Sequence, residues 1–233
     1  MEAKMTFKRY ELKYVINREQ RDALLKAMEG HLALDMFGHS TIRNLYYDTD
    51  DWRLVRRSIE KPWYKEKLRL RSYGLADEDS PVYLELKCKA YDTVYKRRVQ
   101  STLQGVRQFF ESGVPLGDGG QISREINAFC SLYDTLAPSC LIIYDRTAYY
   151  EPDGDLRLTI DENPSYRTED LTLKKSMDGI SLLKPGWTIL EVKVQEAMPL
   201  WLAAILSGGG IRKASFSKYG EAYRQQLVKV QGR

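Results

Sequence analysis

The chain has 233 residues, 43% of them hydrophobic, and a formal net charge of +4 at pH 7. This length allows one large domain or two small ones, and the absence of a long apolar run or a signal peptide predicts a soluble, cytoplasmic protein. The net charge argues against a general nucleic acid binder, but the basic excess between Lys87 and Arg98 suits small anions. Cys88, Cys130 and Cys140 lack C-x-x-C spacing, which favours buried thiols over a disulfide framework or a zinc site.

The first half of the chain shows strand and helix signals in alternation. Asn17 and Gln20 have the spacing of a capping box, so we predict a helix from 17 to about 30. Asp50 and Asp51 resemble the cap of a second, short helix that ends at Ile59. Strands are predicted from period-two alternation over 7–16, 41–49, 65–73, 82–89 and 93–99.

The second half begins with apolar residues at helical spacing. We predict a helical insertion over about 103–136, broken by the glycine-rich stretch 113–120, and two terminal helices within about 199–230. Strands are predicted over 140–150, 156–160 and 188–194, with a turn at 152–155. No linker separates these elements, so the prediction is a single domain over 1–233.

Charged side chains line one side of most predicted strands, because alternate residues of a strand share a face. A polar face that simply meets solvent would explain any one of these strands. The faces together carry Arg, Lys and Glu where a solvent face would mix in Thr, Ser and Gln. We therefore predict an α+β protein, built as a closed antiparallel β-barrel with helices packed outside and a charged lumen. The aligned residues are Arg9, Glu11 and Lys13; Lys67, Arg69 and Arg71; Glu85, Lys87 and Lys89; Arg157 and Asp161; and Glu191 and Lys193.

Clustered cations inside a protein require an anion or water to compensate them. Polyphosphate or a nucleoside triphosphate is a natural partner, because its closely spaced oxygens match a row of guanidinium and ammonium groups. Carboxylates among such cations would repel phosphate unless they hold a divalent metal. The stripe Lys96, Arg97 and Arg98 is equally consistent with a solvated surface and with guidance of polyphosphate.

Seven motifs in order resemble the VTC domain (polyphosphate polymerase) family, which belongs to the triphosphate tunnel metalloenzyme superfamily. The resemblance extends from about residue 7 to residue 224. The motifs are RYELK at 9–13, LYYDT at 45–49, KLRLRSYG at 67–74, LELK at 84–87, YDRTAY at 144–149, LEVK at 190–193 and SFSKY at 215–219.

The resemblance implies an eight-stranded tunnel barrel that transfers the γ-phosphoryl group of ATP to a growing polyphosphate chain with Mn²⁺ or Mg²⁺. It implies catalytic phosphate ligands at Lys13, Arg69, Arg71, Lys87, Arg146, Arg157 and Lys218. It implies further substrate-binding residues at Arg9, Lys193 and Ser217, and metal carboxylates at Glu191, Glu11 and Glu85. Hydrolytic tunnel enzymes have E-x-E-x-K on the first strand, and Arg9 at the first Glu position favours the polymerase branch.

Two other functions remain open on the same residues. One is a tunnel triphosphatase that hydrolyses inorganic or organic triphosphate, and the other is a polyphosphate-binding module without turnover. The expected partners are ATP and inorganic polyphosphate, and nucleic acid is not expected because the Arg and Lys rows lack interleaved aromatic platforms. No membrane segment is expected in this chain, so any membrane protein partner would be a separate polypeptide.

Overall fold

The structure is a computed structural model, and it describes residues 10–91, 93–176 and 178–231, with side chains up to residue 227. The predicted strand residues 7–9, including Arg9, lie outside the described residues. The strands are β1 Tyr10–Ile16, β2 Ala33–Asp48, β3 Tyr64–Tyr73, β4 Pro81–Ala90, β5 Thr93–Thr102, β6 Ala137–Tyr150, β7 Arg157–Arg167, β8 Ile180–Ser181 and β9 Thr188–Val194. The helices are α1 Arg18–Met28, α2 Arg53–Glu60, α3 Leu103–Ser112, α4 Gln121–Cys130, α5 Leu200–Gly208 and α6 Lys218–Gln231.

The strands form one sheet in the order β1-β9-β7-β6-β2-β3-β4-β5, with the short β8 beside β7. Every pair whose register the structure gives is antiparallel. The predicted antiparallel strands and the accompanying helices are therefore confirmed. Within the described residues, no helix is long and apolar enough to cross a bilayer.

The chain divides into two compact units. Unit 1 comprises residues 1–40, 144–164 and 183–216, and unit 2 comprises residues 41–143, 165–182 and 217–233. Each unit has its own cluster of buried apolar side chains. The single domain expected over 1–233 stays a prediction.

Unit 1 packs helices against one side of its strands. Leu24 of α1 and Leu202 of α5 are fully buried against Leu158 of β7 and Leu190 and Val192 of β9. These strand residues alternate with charged ones, so the helices cover the apolar face and leave the charged face on the other side.

Unit 2 repeats this arrangement. Phe109 of α3 and Ile126 of α4 pack on Leu68 and Leu70 of β3 and Leu84 of β4. The helices of the predicted insertion 103–136 therefore cover the apolar face of the β3–β4–β5 sheet. The remaining face of these three strands carries the cations.

Several local predictions differ from the structure. Strand β7 continues to Arg167 where the predicted strand ends at 160, and β8 corresponds to no predicted element. Strand β2 begins at Ala33 instead of 41, although Asp35 and Gly38 are poor strand residues, because cross-strand context can override intrinsic propensity. Helix α2 is not capped by Asp50 or Asp51: the buried Asp48 carboxylate accepts from the backbone N–H groups of residues 54 and 55, at 2.8 and 3.0 Å. At α1, the predicted capping box of Asn17 and Gln20 is confirmed.

Candidate functional site

Unit 1 presents what we call the mixed-charge face, formed by Glu11 and Lys13 of β1, Glu191 and Lys193 of β9, Arg157 and Asp161 of β7, and Arg146 of β6. The register fixes two rows across three strands. Lys13 lies opposite Glu191, which lies opposite Thr159. Glu11 lies opposite Lys193, which lies opposite Arg157. Acidic and basic side chains therefore lie opposite each other between β1 and β9, whereas β7 places Arg157 beside Lys193.

Lys13 lies between two carboxylates. Its Nζ is 3.1 Å from Glu191 Oε1 and 3.2 Å from Glu11 Oε1. Burial opposes the charge on Lys13, but the carboxylates of Glu191 and Glu11 outweigh it and hold the pKa of Lys13 above its ordinary value. Lys13 is therefore a permanently charged ammonium group held at a fixed point of the face.

Arg146 makes a bidentate ion pair with Asp161, which is fully buried. Its Nε and Nη2 donate to the two carboxylate oxygens at 2.6 and 2.7 Å. Arg146 Nη2 also lies 3.5 Å from Glu191 Oε2, and its guanidinium sits 5.2 Å from the centre of the Tyr144 ring. Burial opposes this charge, but Tyr144, Asp161 and Glu191 raise the pKa of Arg146. The planar fork is thus oriented before any ligand arrives.

Arg157 and Lys193 occupy the same row at one end of the face. Arg157 is exposed, and its guanidinium lies 5.2 Å from the Tyr150 ring centre. Lys193 is half-buried on β9. Both cations are therefore within reach of a ligand from solvent.

The carboxylates of Glu11 and Glu191 fit a divalent metal, because both already converge on one cation, the Lys13 ammonium. Mg²⁺ and Mn²⁺ prefer oxygen ligands, and Mg²⁺ is commonly held by one or two carboxylates together with substrate phosphates. Among the described residues, no group of three or more His, Cys, Asp and Glu is arranged to hold a metal ion. Two carboxylates would therefore supply only part of the coordination of a metal ion, and the phosphate oxygens of a substrate would supply the rest.

Unit 2 presents what we call the basic face, formed by Lys65, Lys67, Arg69 and Arg71 of β3, Lys87 and Lys89 of β4, and Lys96 and Arg98 of β5. Its register sets lysines directly opposite one another. Lys65 pairs with Lys89, and Lys67 pairs with Lys87, which in turn pairs with Lys96. Like charges directly opposite in a sheet are destabilising. A face built this way is suited to an anion with several negative oxygens.

Glu85 of β4 is the carboxylate within the basic face, and it is 1% exposed. Its Oε2 accepts a hydrogen bond from Arg69 Nε at 2.8 Å and lies 3.9 Å from Arg71 Nε. Its Oε1 accepts a hydrogen bond from Arg98 Nε at 2.6 Å and lies 2.9 Å from Lys96 Nζ. Burial would raise the pKa of Glu85, but Arg69, Arg71 and Lys96 outweigh it and hold that pKa far below the ordinary value. Burial, together with Arg98 and Arg71, lowers the pKa of Lys96 despite the ion pair, because one carboxylate is shared among four cations. Glu85 is thus shared among four cations, whereas the two oxygens of Glu191 contact Lys13 and Arg146.

Two residues of the last motif lie at the start of α6. Ser217 Oγ accepts a hydrogen bond from the backbone N–H of Gly220 at 3.2 Å, which is the geometry of an N-cap, and another from Lys67 Nζ at 3.2 Å. Lys218 is the first residue of the helix and is half-buried. A helix N-terminus beside Lys67 adds a partial positive charge to this side of unit 2.

The predicted residues thus form two groups. Glu11, Lys13, Arg146, Arg157, Glu191 and Lys193 belong to unit 1, and Arg69, Arg71, Glu85, Lys87, Ser217 and Lys218 belong to unit 2.

Several partners of these cations were not among the predicted site residues. Asn44 Oδ1 accepts from Arg71 Nε at 2.9 Å, and the Tyr46 hydroxyl accepts from Arg69 Nη1 at 3.2 Å. Asp161 was recognised only as part of a charged strand. The sequence signal that points to Asn44 and Tyr46 is alternation along β2, because it places both residues on one face of that strand.

Comparison with protein families finds a match to the VTC domain over residues 8–227. Comparison with curated proteins finds no match. Similar folds occur among solved structures. A candidate adenylate cyclase from Bacillus halodurans has a TM-score of 0.55 and 17% identity, over 89% of this chain and 92% of that one. A candidate adenylyl cyclase from Hippeastrum, described as having a dominant triphosphatase activity, has a TM-score of 0.54 and 16% identity, over 91% of this chain and 93% of that one.

These findings confirm the fold class predicted from the ordered motifs. At such low identity the two solved structures show the fold alone. The family match spans nearly the whole chain and includes all seven motifs. Six of them lie entirely within the described residues, and the first is described from Tyr10 onward.

Proposed function

The chain belongs to the VTC domain family, and from this premise we propose that it is a metal-dependent polyphosphate polymerase. The reaction would transfer the γ-phosphoryl group of ATP to the end of an inorganic polyphosphate chain. The observation that carries the proposal is the basic face, where lysines of neighbouring strands lie opposite one another and four cations share Glu85. A polyanion with regularly spaced charges complements such a face better than a compact monoanion does.

The basic face would bind phosphate groups and neutralise their charge. Arg69 and Arg71 are held by Glu85, Tyr46 and Asn44, so their guanidinium groups are oriented before the ligand binds. Phosphoryl transfer needs little covalent work from the protein, and positioning with charge neutralisation supplies most of the acceleration. In this proposal Glu85 positions cations and is not a metal ligand, which revises the role that the family resemblance implied.

The mixed-charge face would contribute Lys13 and Arg146 as further phosphate ligands, with Arg157 and Lys193 at its exposed end. Arg146 is prepared for a phosphate by Asp161, which fixes the plane of the guanidinium. Lys218 and Ser217, beside Lys67, would bind phosphate at the start of α6. These assignments need no side-chain nucleophile, because the terminal phosphate of the acceptor chain attacks the γ-phosphorus.

Glu191 and Glu11 would hold the divalent metal, since their oxygens converge on one cation. When bound, Mn²⁺ or Mg²⁺ would neutralise charge on the phosphates. Lys13, which contacts both carboxylates, would hold their orientation.

The test is incubation of the full chain with ATP and Mn²⁺, followed by gel electrophoresis that resolves long polyphosphate. We expect polymer from the wild type, none from Arg69→Ala, and a large loss for Glu191→Gln. Arg107→Ala is the matched control and should leave polymer formation unchanged, because Arg107 forms an ion pair with Glu78 near the surface of unit 2. Release of free phosphate without polymer would refute the polymerase and favour the triphosphatase. Binding of polyphosphate without turnover would favour the binding module.

A further inference from the structure

Two exposed aromatic rings lie together at the end of the β3–β4 ladder whose strands carry the basic face. The side chains of Trp63 and Tyr91 are 65% and 73% exposed. Their ring centres are 5.5 Å apart with planes inclined by 31°, and the Tyr91 backbone N–H donates to the Trp63 carbonyl. Large aromatic side chains are usually buried where they serve packing. This pair is outside the apolar core of unit 2, so packing of the fold does not explain it.

The aromatic pair continues the strand ladder that carries the lysines. Trp63 lies two residues before Lys65 on the β3 side, and Tyr91 lies two residues after Lys89 on the β4 side. Lys65 and Lys89 face each other across the ladder, and Lys67 and Lys87 form the next pair on the same face. At a rise of about 3.3 Å per residue, the backbones of the two lysine pairs lie about 7 and 13 Å along the ladder from those of Trp63 and Tyr91.

Positive charge is concentrated beside these rings. Burial, together with the nearby charges of Lys89 and Lys61, lowers the pKa of Lys65. An anion would relieve this repulsion. A ligand that spans from the rings to the lysines would therefore have a flat aromatic end joined to a chain of negative groups.

We propose that Trp63 and Tyr91 form a nucleobase-stacking subsite for the donor nucleotide, whose triphosphate extends along the lysine pairs of the basic face. This inference rests on the proposed function, and it assigns a binding site to the nucleobase of ATP, which polyphosphate lacks. Aromatic rings stack on any base, since every base has a π-face. The subsite therefore improves binding of a nucleotide over bare triphosphate and discriminates little between ATP and GTP.

The experiment compares ATP and inorganic tripolyphosphate in calorimetric titrations of the full chain. Stacking on one aromatic residue is worth about 5- to 150-fold in affinity, so Trp63→Ala should weaken ATP binding by this factor and leave tripolyphosphate binding unchanged. Trp63→Phe should keep ATP affinity within a few fold. Tyr91→Asn provides a second variant in case Trp63→Ala does not fold, because Tyr91 has φ of +52° and Asn tolerates that conformation. Trp187→Ala, at an exposed tryptophan of unit 1, should change neither affinity.

Each result bears on a separate claim. An unchanged ratio of ATP to tripolyphosphate affinity in Trp63→Ala and Tyr91→Asn would overturn the subsite and leave the polymerase standing. Failure of the wild type to bind tripolyphosphate would overturn the phosphate-binding function, and the subsite with it. Exposed tryptophan beside lysine also suits an anionic bilayer surface. Loss of sedimentation with phosphatidylserine vesicles in Trp63→Ala, with unchanged ATP affinity, would refute the subsite in favour of membrane contact.

Discussion

Replacing Glu85 with Gln would test how the basic face is held together. The substitution keeps the size of the side chain and removes its negative charge, leaving Arg69, Arg71, Lys96 and Arg98 without the carboxylate they share. We expect lower stability and, under the proposed function, weaker phosphate binding, because the two arginines lose the partner that fixes their position.

The expected size follows from the exposure of the four cations. Breaking a buried ion pair by removing one partner costs about 3–5 kcal/mol. Arg71 and Arg69 have side chains only 8% and 24% exposed, whereas those of Arg98 and Lys96 are 35% and 45% exposed and can recover hydration. The loss should therefore be near the lower limit, about 3 kcal/mol. With a urea slope of about 3 kcal/mol/M, the denaturation midpoint would fall by about 1 M.

The assay is urea denaturation followed by circular dichroism, with and without tripolyphosphate. Tripolyphosphate should recover more stability in Glu85→Gln than in the wild type, because the phosphates supply the missing negative charge. Glu78→Gln is the matched control: Glu78 pairs with Arg107 and Lys174 near the surface, so its loss should cost less than about 1 kcal/mol. Equal losses for the two variants would refute the shared role of Glu85.

The pH dependence gives a second readout of the same carboxylate. The folded-state pKa of Glu85 lies below its ordinary value of 4.5, so its stabilising contribution is complete above pH 4.5 and is lost as the pH falls further. The wild type should lose this contribution on acidification, and Glu85→Gln should not. Parallel curves for the two proteins below pH 4.5 would contradict the depressed pKa.

Three further outcomes are expected. Asp161→Asn should destabilise the protein by about 3 kcal/mol in urea denaturation, because it leaves the largely buried Arg146 with half of its bidentate partner; a loss below about 1 kcal/mol would contradict this. Tyr219→Phe should cost about 2 kcal/mol, because the hydroxyl donates to the buried Asp48 carboxylate at 2.8 Å, and a neutral result would show that this hydrogen bond contributes nothing. Tripolyphosphate at a hundredfold excess over Kd should stabilise the wild type by about 2.7 kcal/mol, and a thermal scan without a shift would argue against a phosphate-binding face.

Much of the architecture could be predicted from local signals. The period-two pattern in KLRLRSY predicted β3 and its charged face, and the spacing of Asn17 and Gln20 predicted the start of α1. The ordered motifs identified the family, which the match over residues 8–227 confirms. These features are encoded within a few neighbouring residues, which is why the sequence suffices for them.

Other features depend on which segments meet in three dimensions. The sequence alone does not give the register that brings Lys96 and Arg98 of β5 to Glu85 of β4. The cap of α2 comes from Asp48, six residues before Leu54, and not from the adjacent aspartates. Alternation along a strand determines which side chains share a face, because it is a property of the backbone. Only the pairing of strands decides which charges meet, because hydrogen bonds between distant segments set the register.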